Sequence, residues 1–166
     1  VERNGEKIGI IGIVISRKTK MSSNPDDTTM FLDEVTTAQK YADELNSQGV
    51  DRVILLSHYG YENDLALAQK TSGIDIIVGG DSHSLLGDLS DLGLKPSGSY
   101  PTMVNDASGN DVCVVTAWQY SQIVGELHAE FDGQGNITSC MGTPHMMLAD
   151  SFKRKNADGE RVEIEE

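Results

Sequence analysis

Three unbroken apolar runs separated by helical patterning constrain this chain more than any other feature. They are Lys7 to Ser16 (KIGIIGIVIS), Arg52 to Ser57 (RVILLS) and Ile74 to Val78 (IDIIV). A short run that is apolar at almost every position reads as a strand buried on both faces. Between the first two runs, Phe31, Val35, Ala38, Ala42 and Leu45 recur at spacings of four, three, four and three. That period predicts an amphipathic helix with Gly49 as its stop. The preceding Ser22 to Thr29 (SSNPDDTT) is a predicted loop, with Asp27 or Thr28 as the helix cap. Between the second and third runs, Asn63 or Asp64 opens a short helix, Leu65 to Lys70, which ends near Gly73. The order β-α-β-α-β predicts an α/β fold with parallel strands, right-handed crossovers and helices covering the sheet.

After residue 84 the texture changes. Leu85 to Tyr100 is rich in Gly, Ser, Asp and Pro and reads as a long loop. Asp111 to Trp118, Ile123 to Asp132 and Asn136 to Cys140 read as antiparallel strands. In the second of these, Leu127, Ala129 and Phe131 alternate with Glu126, His128 and Glu130, the period of a half-buried strand. Asp132-Gly133-Gln134-Gly135-Asn136 is the predicted hairpin turn. The tail from Lys153 is polar and acidic and reads as a connector.

A length of 166 residues is that of one domain. The 13 basic residues against 26 acidic ones give a net charge of −13. A surface that negative repels polyanions, which argues against nucleic-acid polymers and anionic membranes as partners. No apolar run is long enough for a membrane span. Cys113 and Cys140 form either one disulfide or two buried thiols, and spacing does not choose between them. The chain begins Val1-Glu2-Arg3-Asn4 without an initiator Met, which raises the expectation that it is a piece of something longer.

In open α/β sheets, chemistry collects at the carboxyl ends of the strands. Ser57-His58 follows the second strand and Asp81-Ser82-His83 follows the third. Neighbouring strands lie about 5 Å apart, so the two loops share a rim. His58, Asp81 and His83 are therefore candidate metal ligands, two imidazoles and a carboxylate, with Gly79 and Gly80 letting the backbone turn beside them. His128 reads as a surface residue and His145 as structural, with Met146, Met147 and Leu148 as core. Trp118 and Tyr120 read as core or interface filling rather than as an aromatic wall. There is no GxGxxG, P-loop, GxSxG or HExxH.

Ile54-Leu-Leu-Ser-His58-Tyr-Gly-Tyr61, Ile74-Asp-Ile-Ile-Val-Gly-Gly80-Asp-Ser-His83, and Tyr100-Pro-Thr with Val114-Val-Thr-Ala-Trp118 occur in this order. Together they resemble bacterial 5'-nucleotidases, the calcineurin-like metallophosphoesterases of the UDP-sugar hydrolase/5'-nucleotidase group, as far as about Asp150. The resemblance implies a partial metallophosphoesterase β-sandwich flanked by helices. Residues 1–150 would be the C-terminal part of the phosphoesterase domain. Residues 151–166 would be a connector toward an absent nucleotide-binding domain. It further implies that His58 is a ligand of the second metal, and that Asp81 and His83 occupy the two ligand positions of the family's G-H-x-[H/Q/N] turn. Asp81 departs from the usual histidine there. A harder, charged ligand should shift preference from zinc toward manganese or magnesium.

The family's opening series of D-x-H, then G-D-x-x-[D/N], then G-N-H-[D/E], does not occur here: G-N-H-[D/E] is absent, and the strings Asp81-Ser82-His83 and Gly87-Asp88-Leu89-Ser90-Asp91 fall after the third strand instead of before the first; the aromatic base clamp is absent as well. The resemblance therefore implies that no catalytic residue lies in this chain and that the missing N-terminal half of the domain is a partner. The parent would be a periplasmic, cell-surface or secreted enzyme. It would hydrolyse nucleoside monophosphates to nucleoside and phosphate through a hydroxide activated by two divalent ions (zinc, manganese or magnesium). Alone, the chain is expected to be inactive and prone to self-association. A UDP-sugar hydrolase, 2',3'-cyclic-nucleotide phosphodiesterase or thiosulfohydrolase parent remains open, as does a non-catalytic cell-surface binding module. The upstream coding sequence separates these: intact upstream motifs favour an enzyme, and a start codon just before Val1 favours a binding module.

Overall fold

A computed structural model describes residues 1–147 and 151–165. A short hairpin, β1 (Glu2–Arg3) with β2 (Glu6–Lys7), leads into the main sheet. The three apolar runs become β3 (Gly9–Val14), β4 (Val53–His58) and β5 (Ile76–Gly79). They pair in parallel as predicted, with Ile54 level with Ile10 on one side and Ile76 on the other. The sheet continues through β7 (Asp111–Thr116) to β6 (Thr102–Asn105), in the order β3-β4-β5-β7-β6. Two corrections follow. β7 is parallel to β5, not antiparallel, and β6 is a strand that lacks a legible apolar run and pairs antiparallel with β7.

The predicted amphipathic helix is α2 (Glu34–Ser47). Its cap is Asp33, whose carboxylate accepts from the Thr36 N–H at 2.8 Å. The expected caps are not used. Asp26 instead closes the preceding turn by accepting from Thr28. Ala38 and Ala42 face the sheet, with Val35 and Leu45 packed at the margin, and Gly49 ends the helix at φ 73°. The second helix, α3 (Tyr61–Ala68), starts earlier than expected, and its buried stripe is Tyr61, Asp64, Leu67 and Ala68. An unexpected helix, α1 (Ser16–Ser23), lacks any buried residue and follows β3 directly.

Leu55, Leu67, Ile77, Leu86, Val112 and Val114 are fully buried between the sheet and the helices. Each such side chain contributes roughly 1.5–3 kcal/mol. The expectation that all three first strands are covered on both faces does not hold. Ile10 is 49% exposed and Leu56 47%, and Val14 and Val78 are similarly open. Helices cover one face only; on the other face of β3 and β4, Ile10, Val14 and Leu56 stay open.

Over β7 the second face is covered. β8 (Ile123–Phe131) and β9 (Ile137–Met146) form an antiparallel hairpin, its turn closed by Asp132 accepting from the Gln134 and Asn136 N–H groups. β9 runs six residues beyond the expected end at Cys140. Cys140 and Cys113 are disulfide-bonded, which ties this hairpin to β7. His128 is exposed as read. His145 and His128 both contact Glu126, each Nε2 at 2.8 Å from one of its oxygens, so His145 is a surface residue of the hairpin rather than part of a core. Met147 is exposed, and Leu148 lies outside the described residues. β10 (Ser151–Lys155) and β11 (Arg161–Glu165) form an antiparallel hairpin within the segment read as a connector. Among the described residues no helix is long and apolar enough to cross a membrane.

Candidate functional site

The in-register pairing of β4 and β5 brings the loops after His58 and Gly79 side by side. His58 is the last residue of β4. Its side chain alternates onto the face that the helices leave open. Gly80 keeps this junction tight. A Cβ there would stand 3.2 Å from His58 Nδ1 and 3.4 Å from the Ser57 carbonyl oxygen, a close fit in which a larger residue would have to push the imidazole aside slightly. Beyond Gly80 the chain turns through left-handed backbone at Asp81 (φ 74°) and again at His83 (φ 51°). Ser82 Oγ accepts from the Tyr61 N–H at 3.0 Å. It thus caps α3 from a distance, because Gly60 at the helix start has no side chain to do so.

This turn points the Asp81 carboxylate at His58, with Oδ1 3.5 Å from His58 Nε2. The same oxygen accepts from Lys18 Nζ at 2.5 Å. Lys18 comes from α1, which sequence reading missed because the segment carries no apolar periodicity. Its ammonium stands at Asp81 as a cation from the protein itself. The third candidate, His83, does not join this contact. Its ring packs edge-on against Tyr120, with centroids 5.2 Å apart and planes at 67°. Tyr120 is 78% exposed, so it is not a core residue. Trp118, Tyr120 and Ser121 all have positive φ, which shapes the loop that brings Tyr120 to His83.

Beneath the rim lies a carboxyl that sequence reading took only as a helix opener. Asp64 is fully buried on the inner stripe of α3. Its Oδ1 accepts from Ser57 Oγ at 2.5 Å, while Oδ2 has no hydrogen-bond partner. Burial raises its pKa to about 6; the Ser57 hydrogen bond opposes this and the Asp81 charge adds to it. The available signal was its spacing: Asp64 stands three residues after Tyr61 and three before Leu67, squarely on the apolar face.

His58 and Asp81 offer one imidazole and one carboxylate within reach of a common cation, a donor set suited to a divalent ion. The Lys18 ammonium against Asp81 marks the spot as one that favours positive charge. The set is incomplete: among the described residues no group of three or more His, Cys, Asp or Glu is arranged to hold a metal ion.

No family model matches the chain. It is 44% identical over 169 residues to a probable 5'-nucleotidase of Treponema pallidum, across 100% of this chain and 28% of that protein. A crystal structure of the 5'-nucleotidase precursor from Thermus thermophilus superposes with TM-score 0.82 and 43% identity over 87% of this chain. The Haemophilus influenzae NAD nucleotidase structure superposes with TM-score 0.90 and 38% identity over 99% of this chain. The chain belongs to the 5'-nucleotidase family. It spans only part of its relatives: 28% of the Thermus chain and 33% of the Haemophilus one. The sheet of β3 to β7, the rim at His58 and Asp81 and the β8–β9 hairpin are thus 5'-nucleotidase-family structure, an α/β architecture of mixed parallel and antiparallel strands.

Proposed function

We propose that this chain is the C-terminal part of the phosphoesterase domain of a metal-dependent 5'-nucleotidase. Its parent would hydrolyse nucleoside monophosphates. The observation that carries this reading is the approach of His58 Nε2 to Asp81 Oδ1 at the ends of two adjacent parallel strands. Two divalent cations, when bound, would supply Lewis-acid activation of the phosphoester and of the attacking water.

The roles of the chain's own residues follow. His58 and Asp81 hold one edge of the cation site, and His83 joins them as the third ligand once its ring leaves Tyr120. The remaining ligands come from elsewhere in the parent, which accords with a chain that spans about a quarter to a third of its relatives. The open face bearing Ile10, Val14, Leu56 and Val78 receives the rest of the domain, and in isolation it favours self-association. The Cys113–Cys140 disulfide supports a periplasmic, cell-surface or secreted parent, since such bonds persist in oxidising compartments.

A Haemophilus relative is named an NAD nucleotidase. A dinucleotide-cleaving parent is therefore the second reading.

The test is hydrolysis of a nucleoside monophosphate and of NAD by the purified 166-residue chain and by the parent, each with manganese, zinc or magnesium. Metal-dependent turnover by the parent together with an inert chain is the expected result. Robust turnover by the chain alone would overturn the incompleteness of its site, and a metal-independent parent would overturn the mechanism.

A further inference from the structure

We infer that Asp64 is a positioning residue that sets the distance between His58 and Asp81, an inference that rests on the metal-site reading above. A fully buried carboxyl with one oxygen unpartnered is expensive to keep, and an apolar side chain of similar volume would fill the same space on α3 more cheaply. What Asp64 does there is touch both ligand-bearing strands. Its Oδ1 holds the hydroxyl of Ser57, the residue immediately before His58. Its Oδ2 lies against Gly79, so close that a Cβ on that residue would collide with it. Gly79 ends β5, two residues before Asp81. One side chain therefore braces the end of β4 and the end of β5 from below, at the two places where a shift would carry His58 away from Asp81.

The brace is anchored on both its other sides. The Asp64 N–H donates to the Gly60 carbonyl at 2.8 Å, in the first turn of α3. The start of that helix is itself tied to the Asp81 loop by the Tyr61 N–H on Ser82 Oγ. Helix, carboxyl and both strand ends form one closed circuit around the rim. Asparagine, which has the shape of the neutral acid and keeps an acceptor for Ser57, should preserve the circuit. Leucine should not.

The experiment uses the 166-residue chain, its Asp64→Asn and Asp64→Leu variants, and Ser57→Ala. Two signals are read. One is the metal-free nuclear Overhauser contact between the His58 ring Hε1 and the Gly80 α protons, groups that the structure brings together. The other is zinc affinity by calorimetry. Asp64→Asn should keep both. Asp64→Leu and Ser57→Ala should lose or weaken the Overhauser contact, and should bind zinc about tenfold or more weakly, the usual effect of removing support behind a ligand. Circular dichroism identifies any variant that fails to fold. Should Asp64→Leu be such a variant, Ser57→Ala decides. If no chain binds zinc, as an incomplete ligand set allows, the functional reading stands untouched and the Overhauser contact alone decides the role of Asp64. A folded Asp64→Leu or Ser57→Ala chain with that contact and its zinc affinity intact would overturn the inference.

Discussion

His58 Nε2 lies 3.5 Å from Asp81 Oδ1, across the ends of two neighbouring parallel strands. The two groups stand at the ends of paired strands, which Asp64 touches from below. In-register pairing of β4 with β5 puts their two loops side by side. On the proposed reading, a divalent cation at these two donors would have to displace the Lys18 ammonium.

Lys18 is the resident competitor. Removing it with Lys18→Ala should tighten manganese binding by the chain. The gain should reach at most about fivefold, because an exposed ion pair is worth up to ~1 kcal/mol. Electron paramagnetic resonance of free manganese measures this directly. Unchanged binding would mean that the Lys18–Asp81 contact does not oppose the metal.

Asp81→His should move metal preference toward zinc. Imidazole is the softer ligand and carries no charge, so the ratio of zinc to manganese affinity should rise by about tenfold. Competition calorimetry with the two metals tests it, and a ratio that stays put or falls would show that position 81 does not set selectivity.

Asp75 gives the pH prediction. Burial raises its pKa to about 6; the hydrogen bond from the Val53 N–H at 2.7 Å opposes this, and the charges of Asp51 and Asp106 add to it. The native state therefore holds this proton more tightly than the unfolded chain, whose value is near 3.8. Its contribution is fully present below that lower value and is lost as pH rises through about 6. Measured against Asp75→Asn, the wild-type chain should lose relative stability between those two values and show no further relative change at higher pH. Urea titrations of both chains across that range are the measurement. A constant difference between them would contradict the assignment.

Cys113 and Cys140 are 27 residues apart in sequence. Closing a loop of that size stabilises a fold by about 3 kcal/mol through the unfolded state. Reduction, or a Cys113→Ala/Cys140→Ala double variant, should lower the unfolding free energy by about that amount and loosen β8–β9 first, since the bond joins that hairpin to β7. Hydrogen exchange on the two sheets, with and without reductant, distinguishes local loosening from global loss.

Much of the main sheet was legible because its signals are local. Runs such as RVILLS and the three-and-four spacing of α2 mark strands and helix without reference to anything distant. β6 was not legible, because Thr102 to Asn105 earns its strand only by pairing with β7. The direction of β7 was missed for a related reason: a fully apolar strand says that it is covered, not which way its neighbour runs. The apolar runs of β3 and β4 record burial on two sides, and in this chain only one side is covered.

That His58 and Asp81 lie near each other was legible because strand ends are where an α/β sheet presents polar groups. Lys18 sits on a helix with no apolar face to betray it. Asp64 was read by its habit as a helix opener, when its position on the buried stripe of α3 was the informative fact. His83 lies in the expected turn, but Tyr120, nearly forty residues away in sequence, engages its ring.

The left-handed backbone at positions 81 and 83 narrows the vocabulary open to this turn. Apart from glycine, the residues that enter that region most readily are asparagine, aspartate and histidine. Each of those three ends in an atom able to bind a cation. Mutational drift at these positions is thereby steered toward exchanging one donor for another. An exchange among these three residues would keep a donor atom at positions 81 and 83 without re-bending the chain.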